Sequence, residues 1–341
     1  MRYLVFTFFI CVMHKTYSQS YLWADTVQYE NDRGITALLS DGDRNLYAAS
    51  SASSGTTSIF STYYCGDIHL RKYDADGVII WENIFPGKGR IFDMEFDADG
   101  NIIAGGAYTQ ALEIDGEEFE TSLFIAGAFL IKIDTSGNIM WVKAEEPAIY
   151  SSAICSITTD ADGNIYAAGL KDDITGLLRK YNSDGDIVLE EDMEQVRTTA
   201  DIRLDNTGNI YVCGSAPDYA TFDDIEIPDD AGGTGYVNYL AKYNSDMEAQ
   251  EVYAAAYFTF DFNSSIAKNS EGIYWRCTMS PSGTFDYYNA TMFYNFLSAD
   301  LDTIRLINTG FDFPGNYLAA AGEDAVLLDN FDFATGVIKI N

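Results

Sequence analysis

Two short phrases alternate along this chain and restrict it to a repeat fold. The first, Asp97-Ala-Asp-Gly-Asn-Ile-Ile-Ala-Gly-Gly106, returns at residues 160–169 and 205–214, with a looser copy at 41–50. The second, Leu70-Arg-Lys-Tyr-Asp-Ala-Asp-Gly77, returns at 130–137 and 178–185, with a weaker copy at 240–246. Self-similarity at a spacing of roughly 50 residues belongs to solenoids and propellers. In each phrase an apolar strand runs into, or out of, a turn led by Asp or Asn. That side chain caps the turn, and the glycine supplies the positive φ. Each phrase is therefore a β-hairpin. Two hairpins make a four-stranded antiparallel sheet, which is one blade of a propeller.

Lys72, Lys132, Lys180 and Lys242 hold one place in the second phrase and count four units. Glu271-Gly-Ile-Tyr-Trp275 and Phe293-Tyr-Asn-Phe-Leu-Ser298 predict a fifth. Tyr317-Leu-Ala-Ala-Ala321, Ala325-Val-Leu-Leu328 and Val337-Ile-Lys-Ile-Asn341 predict three strands of a sixth. Trp81 and Trp141 each follow a turn glycine by four residues, and Trp23 in Tyr21-Leu-Trp-Ala-Asp25 matches them. The expectation is an all-β, six-bladed β-propeller of four-stranded antiparallel blades. Residues 21–28 would pair with 336–341 and complete the last blade, removing two open sheet edges. A longer chain continuing past Asn341 would carry the same pattern.

With 341 residues, 47% of them hydrophobic, the chain can bury a large core, and its 24 Tyr and 21 Phe favour strands. We read one domain over 19–341, after a secretory signal peptide over 1–18. Met1-Arg2 precedes an apolar run from Tyr3 to Met13, and Thr16 and Ser18 supply the small residues of a cleavage site. Ile10 before Cys11 does not fit a lipoprotein signal. Processing would leave 18 basic against 52 acidic residues, a net charge of −34. Such a surface repels nucleic acid and anionic lipid. No other stretch is long and apolar enough to suggest membrane insertion. The expectation is a secreted or surface-exposed monomer without a cofactor.

One histidine, His69, follows the signal segment, and no serine or cysteine stands out as its catalytic partner. Cys65, Cys155, Cys213 and Cys277 lie far apart at non-equivalent repeat positions, which argues against zinc. Their three full disulfide pairings stay open, beside buried free thiols. The Asp-x-Asp-Gly strings at 74–77, 97–100 and 160–163 look like calcium loops. Tyr108 and Lys171 stand where the last two of these would need Glu at position twelve, so turn capping is the better reading. No catalytic, cofactor-binding or metal residue is assigned. Loops over about 50–66, 106–128, 170–176, 214–236 and 277–290 vary most and should leave one end of the fold. Two carry strand-like inserts, at 111–115 and 220–227. Tyr63, Tyr64, Tyr108, Tyr219, Tyr287 and Tyr288 lie in or beside these loops and are the candidate ligand-binding residues.

Gly163-Asn-Ile-Tyr-Ala-Ala-Gly169, Gly208-Asn-Ile-Tyr-Val-Cys-Gly214 and Phe129-Leu-Ile-Lys-Ile-Asp-Thr-Ser-Gly-Asn-Ile-Met-Trp141 resemble the SBBP-type β-propeller repeat. That family is common in secreted and surface proteins of Bacteroidetes-like bacteria. The resemblance implies a propeller and an exported protein, with no established catalytic residues. The tryptophan four residues after the glycine, rather than three, separates these turns from the boxes of six-bladed sialidases. The expected function is a non-enzymatic binding or surface-interaction module for a protein or glycan. The alternatives are a carboxylate-dependent polysaccharide hydrolase or lyase, for which no acid pair stands out, and a structural spacer in a larger surface protein.

Overall fold

The computed structural model describes residues 33–52, 66–147, 149–172, 175–196, 198–227, 235–257 and 264–268, and the strands over 272–279, 291–298, 304–308, 317–321, 324–331 and 334–340. Every regular element among them is a β-strand. The first sheet holds Arg33–Ser40, Leu46–Ala52, Ile68–Tyr73 and Ile79–Phe85. The second holds Gly87–Phe96, Ile102–Ile114, Ala126–Ile133 and Ile139–Ala144, with Glu117–Glu120 folded back on its long second strand. The third is Ala153–Thr159, Ile165–Lys171, Thr175–Tyr181 and Ile187–Met193. The fourth is Thr198–Leu204, Ile210–Pro217, Tyr236–Tyr243 and Ala249–Tyr257. Ser265–Lys268, Gly272–Met279, Thr291–Ser298 and Ile304–Asn308 form a further four-stranded sheet. Tyr317–Ala321, Asp324–Phe331 and Ala334–Ile340 form a three-stranded one. In each sheet the strands follow chain order and pair antiparallel. The first strands of successive sheets pack on one another in sequence, so the sheets fan out from a shared inner edge. The segment 21–28, with Trp23, lies outside the described residues.

The two phrases recur together because they make one contact. In the second sheet, Asp97 Oδ1 accepts the backbone N–H groups of Asp99 at 3.0 Å and Asn101 at 2.8 Å. Asp41, Asp160 and Asp205 cap their turns in the same way. In those three sheets a tyrosine two residues past the asparagine donates its hydroxyl back to the turn carboxylate. The distances are 3.3 Å for Tyr47, 3.1 Å for Tyr166 and 3.3 Å for Tyr211. Lys72, Lys180 and Lys242 stand across the strand from these tyrosines. Their ammonium groups lie 4.9, 5.0 and 6.0 Å from the ring centroids, within cation–π range. The second sheet has Ile103 in place of the tyrosine, and there Lys132 reaches Asp97 Oδ2 directly at 2.8 Å. The recurring lysine is thus a structural residue.

Neighbouring sheets are joined by the tryptophans. Trp81 Nε1 donates to Thr135 O at 3.1 Å, and its ring covers Gly137, where an added Cβ would lie 2.9 Å from Trp81 Cδ2. Trp141 repeats this on Ser183 O and Gly185 of the third sheet. The third sheet carries Leu189 in the tryptophan slot, and the next turn has Met247 in the glycine slot. Met247 is buried at a φ of 64°. The turn that would receive the ring thus carries a buried side chain in place of the glycine.

Candidate functional site

Hairpin alternation puts the aspartate turns at one end of the fan and the variable loops at the other. The structure corrects one expectation there. Tyr108 is not a loop residue: its strand runs on to Ile114 and pairs Tyr108 with Gly127, leaving the ring fully buried. Its hydroxyl donates to Glu145 O at 2.8 Å, so no part of it can meet a ligand. Tyr219 is 70% exposed and stands on a closed turn. Ala220 N–H donates to Pro217 O at 3.0 Å, and Gly235 N–H to Asp218 Oδ2 at 2.9 Å. Tyr63, Tyr64, Tyr287 and Tyr288 lie outside the described residues. Both inserts form strands, with Leu112 facing Phe119 and Phe222 facing Ile225. His69 is a packed strand residue whose Nδ1 lies 2.9 Å from Glu82 Oε1. Cys155 is a free thiol, pushed up to about 12 by burial and so unreactive at neutral pH.

The inner edge of the fan carries a polar cluster that the sequence analysis did not single out. Each of the first four sheets has a bulge in its first strand, next to residues 36, 92, 155 and 200. The residue after the bulge is Ala37, Asp93, Ser156 or Asp201. Asp93 Oδ2 accepts the N–H of Ile157 in the next sheet at 3.0 Å. Asp201 Oδ2 likewise accepts the N–H of Ile266 at 2.8 Å. Arg203 Nη1 lies 2.9 Å from Asp201 Oδ1 and 3.9 Å from Asp93 Oδ2. Ser156 Oγ sits between the carboxylates, 2.8 Å from Asp93 Oδ2 and 2.8 Å from Asp201 Oδ1. These are cross-sheet staples whose donors and acceptors meet one another.

A proton on Asp93 would complete the two short contacts of Ser156. A hydroxyl has one hydrogen to donate, and two oxygens 2.8 Å away need two. Arg203 Nη1, at 3.3 Å, fills an acceptor position on the same oxygen. The geometry is complete when Ser156 donates to Asp201 and a protonated Asp93 donates to Ser156. Loss of water around Asp93 raises its carboxyl above the ordinary range, Arg203 opposes this, and the charge of Asp201 adds to it. Burial raises Glu95, two residues along the strand, in the same sense, again against Arg203. The folded protein therefore holds a proton on Asp93 more tightly than the unfolded chain does. This contribution to stability is present below the ordinary carboxyl pKa of about 3.9 and is lost as pH rises through the folded value. Asp93→Asn, which mimics the protonated acid, should gain on the wild type as pH rises, by up to about 1.4 kcal/mol per pH unit in that window. Urea unfolding across the pH range checks this, and parallel curves for the two proteins would refute it.

No protein-family model matches the chain, and no curated protein matches it. Solved structures do. The NanB sialidase of Streptococcus pneumoniae aligns with 91% of this chain and 68% of its own, at 8% identity and a TM-score of 0.54. A protein of unknown function from Bacteroides caccae is 14% identical over 83% of this chain and 82% of its own, with a TM-score of 0.46. The β-propeller domain of the Trilobed protease from Pyrococcus furiosus is 6% identical over 90% and 81%, with a TM-score of 0.47. The fan of four-stranded meanders joined at their first strands defines a β-propeller protein, and the likeness to the sialidase agrees in fold alone. No helix among the described residues is long and apolar enough to cross a membrane.

Proposed function

We propose that this is an exported, non-enzymatic propeller that binds a protein or glycan through its loop end. The observation that carries the reading is Tyr219, an exposed ring fixed on a hydrogen-bonded turn of a rigid sheet. An exposed ring carried on a fixed backbone loses less freedom on binding than one on an open loop. The acidic cluster at the inner edge is taken up by bonds between sheets and supplies no free pair of carboxyls for hydrolysis. In this reading residues 1–18 direct export, the repeats are of the SBBP type, and six blades close through residues 21–28 onto 336–341 in a monomer. A glycan and extracellular-protein binding screen tests the function. Tyr219→Ala should weaken the observed binding at least about tenfold while leaving the thermal melt unchanged. Saccharide release, abolished by one Asp or Glu substitution, would replace this reading with the hydrolase or lyase.

A further inference from the structure

The geometry points to the loop end of the second sheet as a docking surface for a cationic amphipathic segment of another protein. This rests on the reading of that end as the binding face and gives it a partner chemistry. Residues 102–131 contain no lysine, arginine or histidine. On the hairpin of Ile102–Ile114 and Glu117–Glu120, Glu113 stands directly across from Glu118, and Ala111 from Glu120. Facing residues of a strand pair share one side of the sheet. Glu113, Glu118 and Glu120 therefore form one exposed row, while Leu112 and Phe119 enter the core from the opposite side. Glu146 joins the row, its Oε1 accepting the N–H of Glu120 at 3.3 Å. Like charges opposed across a ladder destabilise it, and among the described residues none of these four carboxylates has an ion-pair partner.

The two loops that continue from Glu120 and Glu146 carry exposed apolar side chains. Leu123 is 52% exposed, Phe124 72%, Ile149 70% and Tyr150 54%. Their two loops are bonded together: Ala126 N–H donates to Ser151 Oγ at 3.2 Å, and Ser152 N–H to Ala126 O at 2.8 Å. Large apolar residues gathered on adjoining loops and edged by charge mark an interaction surface. A neutral glycan would leave the row of carboxylates uncompensated. A segment with leucines on one side and lysines or arginines on the other covers the apolar residues and neutralises the row.

The test is a fluorescence titration of the intact protein with a synthetic amphipathic lysine–leucine peptide and with its glutamate-for-lysine counterpart. The lysine peptide should bind and the glutamate peptide should not. Binding should fall at least about tenfold in Phe124→Ser/Ile149→Ser, and again in Glu113→Gln/Glu118→Gln/Glu120→Gln. The second variant relieves like-charge contacts, so it should melt no lower than wild type and its loss of binding cannot be unfolding. Failure of the wild type to bind the lysine peptide overturns the inference. So does undiminished binding by Phe124→Ser/Ile149→Ser, which would show attraction to net negative charge alone. Ligand capture through Tyr219 without peptide binding would leave the loop end as the binding face and remove only this partner.

Discussion

Asp201→Ala should lower the free energy of unfolding by about 3–5 kcal/mol, the cost typical of breaking a buried, hydrogen-bonded charge pair. The carboxylate is 10% exposed and is the meeting point of three sheets. It accepts the N–H groups of Ile202 in its own strand at 2.9 Å and Ile266 in the following sheet at 2.8 Å, and faces Ser156 of the preceding sheet at 2.8 Å. Alanine leaves two buried N–H groups without that acceptor and removes the nearest counter-charge of Arg203. The other carboxylate, Asp93, is 3.9 Å from the guanidinium, and burial raises its carboxyl, so it is the weaker counter-charge. Asp201→Asn keeps one acceptor oxygen and the shape, so it should cost less, about 1.5–3 kcal/mol. Chemical unfolding at neutral pH reads both. A loss below about 1 kcal/mol for the alanine variant would show that the inner-edge cluster does not hold the sheets together.

The repeat made the sheets legible because its signals are local. A capping Asp or Asn, a glycine at positive φ and an alternating strand act within ten residues or so. The tryptophan spacing was readable too, since Trp81 and Trp141 meet a turn glycine that the same phrase supplies one sheet later. Two features were harder to read. Tyr108 looked like loop because the variable segment begins beside it, yet the strand runs on as far as Ile114 and buries the ring against the returning strand. An insertion that extends a hairpin instead of opening a loop has no turn residue to announce it. The inner-edge cluster was missed because the first strands do not share a phrase. A faint signal was present. The residue four before each turn aspartate is Asp93, Ser156 or Asp201 in three sheets, followed each time by Met94, Ile157 or Ile202. Polar residues at one repeated strand position, next to an apolar one, mark a side that faces other polar groups. What binds at the loop end depends on contacts between units, and no period in the sequence reports those.

Gly169→Val should destabilise the protein by about 3 kcal/mol, through overlap and not through backbone torsion. Gly169 pairs with Ile154, the residue just before the bulge of the third sheet, as Gly106 pairs with Ile91 in the second and Gly214 with Thr199 in the fourth. The bulge brings the first strand close to its partner. A Cβ on Gly169 would overlap the carbonyl oxygen of Ala153 and lie 3.0 Å from its carbonyl carbon and 3.1 Å from Ile154 Cα. These are backbone atoms, so no side chain can turn aside to make room. The carbonyl of Gly169 also receives the hydroxyl of Thr199 from the fourth sheet, so a shift of this strand disturbs the next interface as well. Gly100 provides the contrast. It sits at a φ of 82° with nothing within 4 Å of an added Cβ, so its requirement is torsional. Asparagine tolerates the left-handed region, and Gly100→Asn should cost under about 1 kcal/mol. Gly169→Asn gains nothing from that tolerance and should cost about as much as Gly169→Val. Thermal melts of the three variants separate the two causes. If asparagine rescued position 169 as well as it does position 100, the strand would not be pressed against the bulge, and the staples at Asp93, Ser156 and Asp201 would lose the geometry that aims them at the neighbouring sheet.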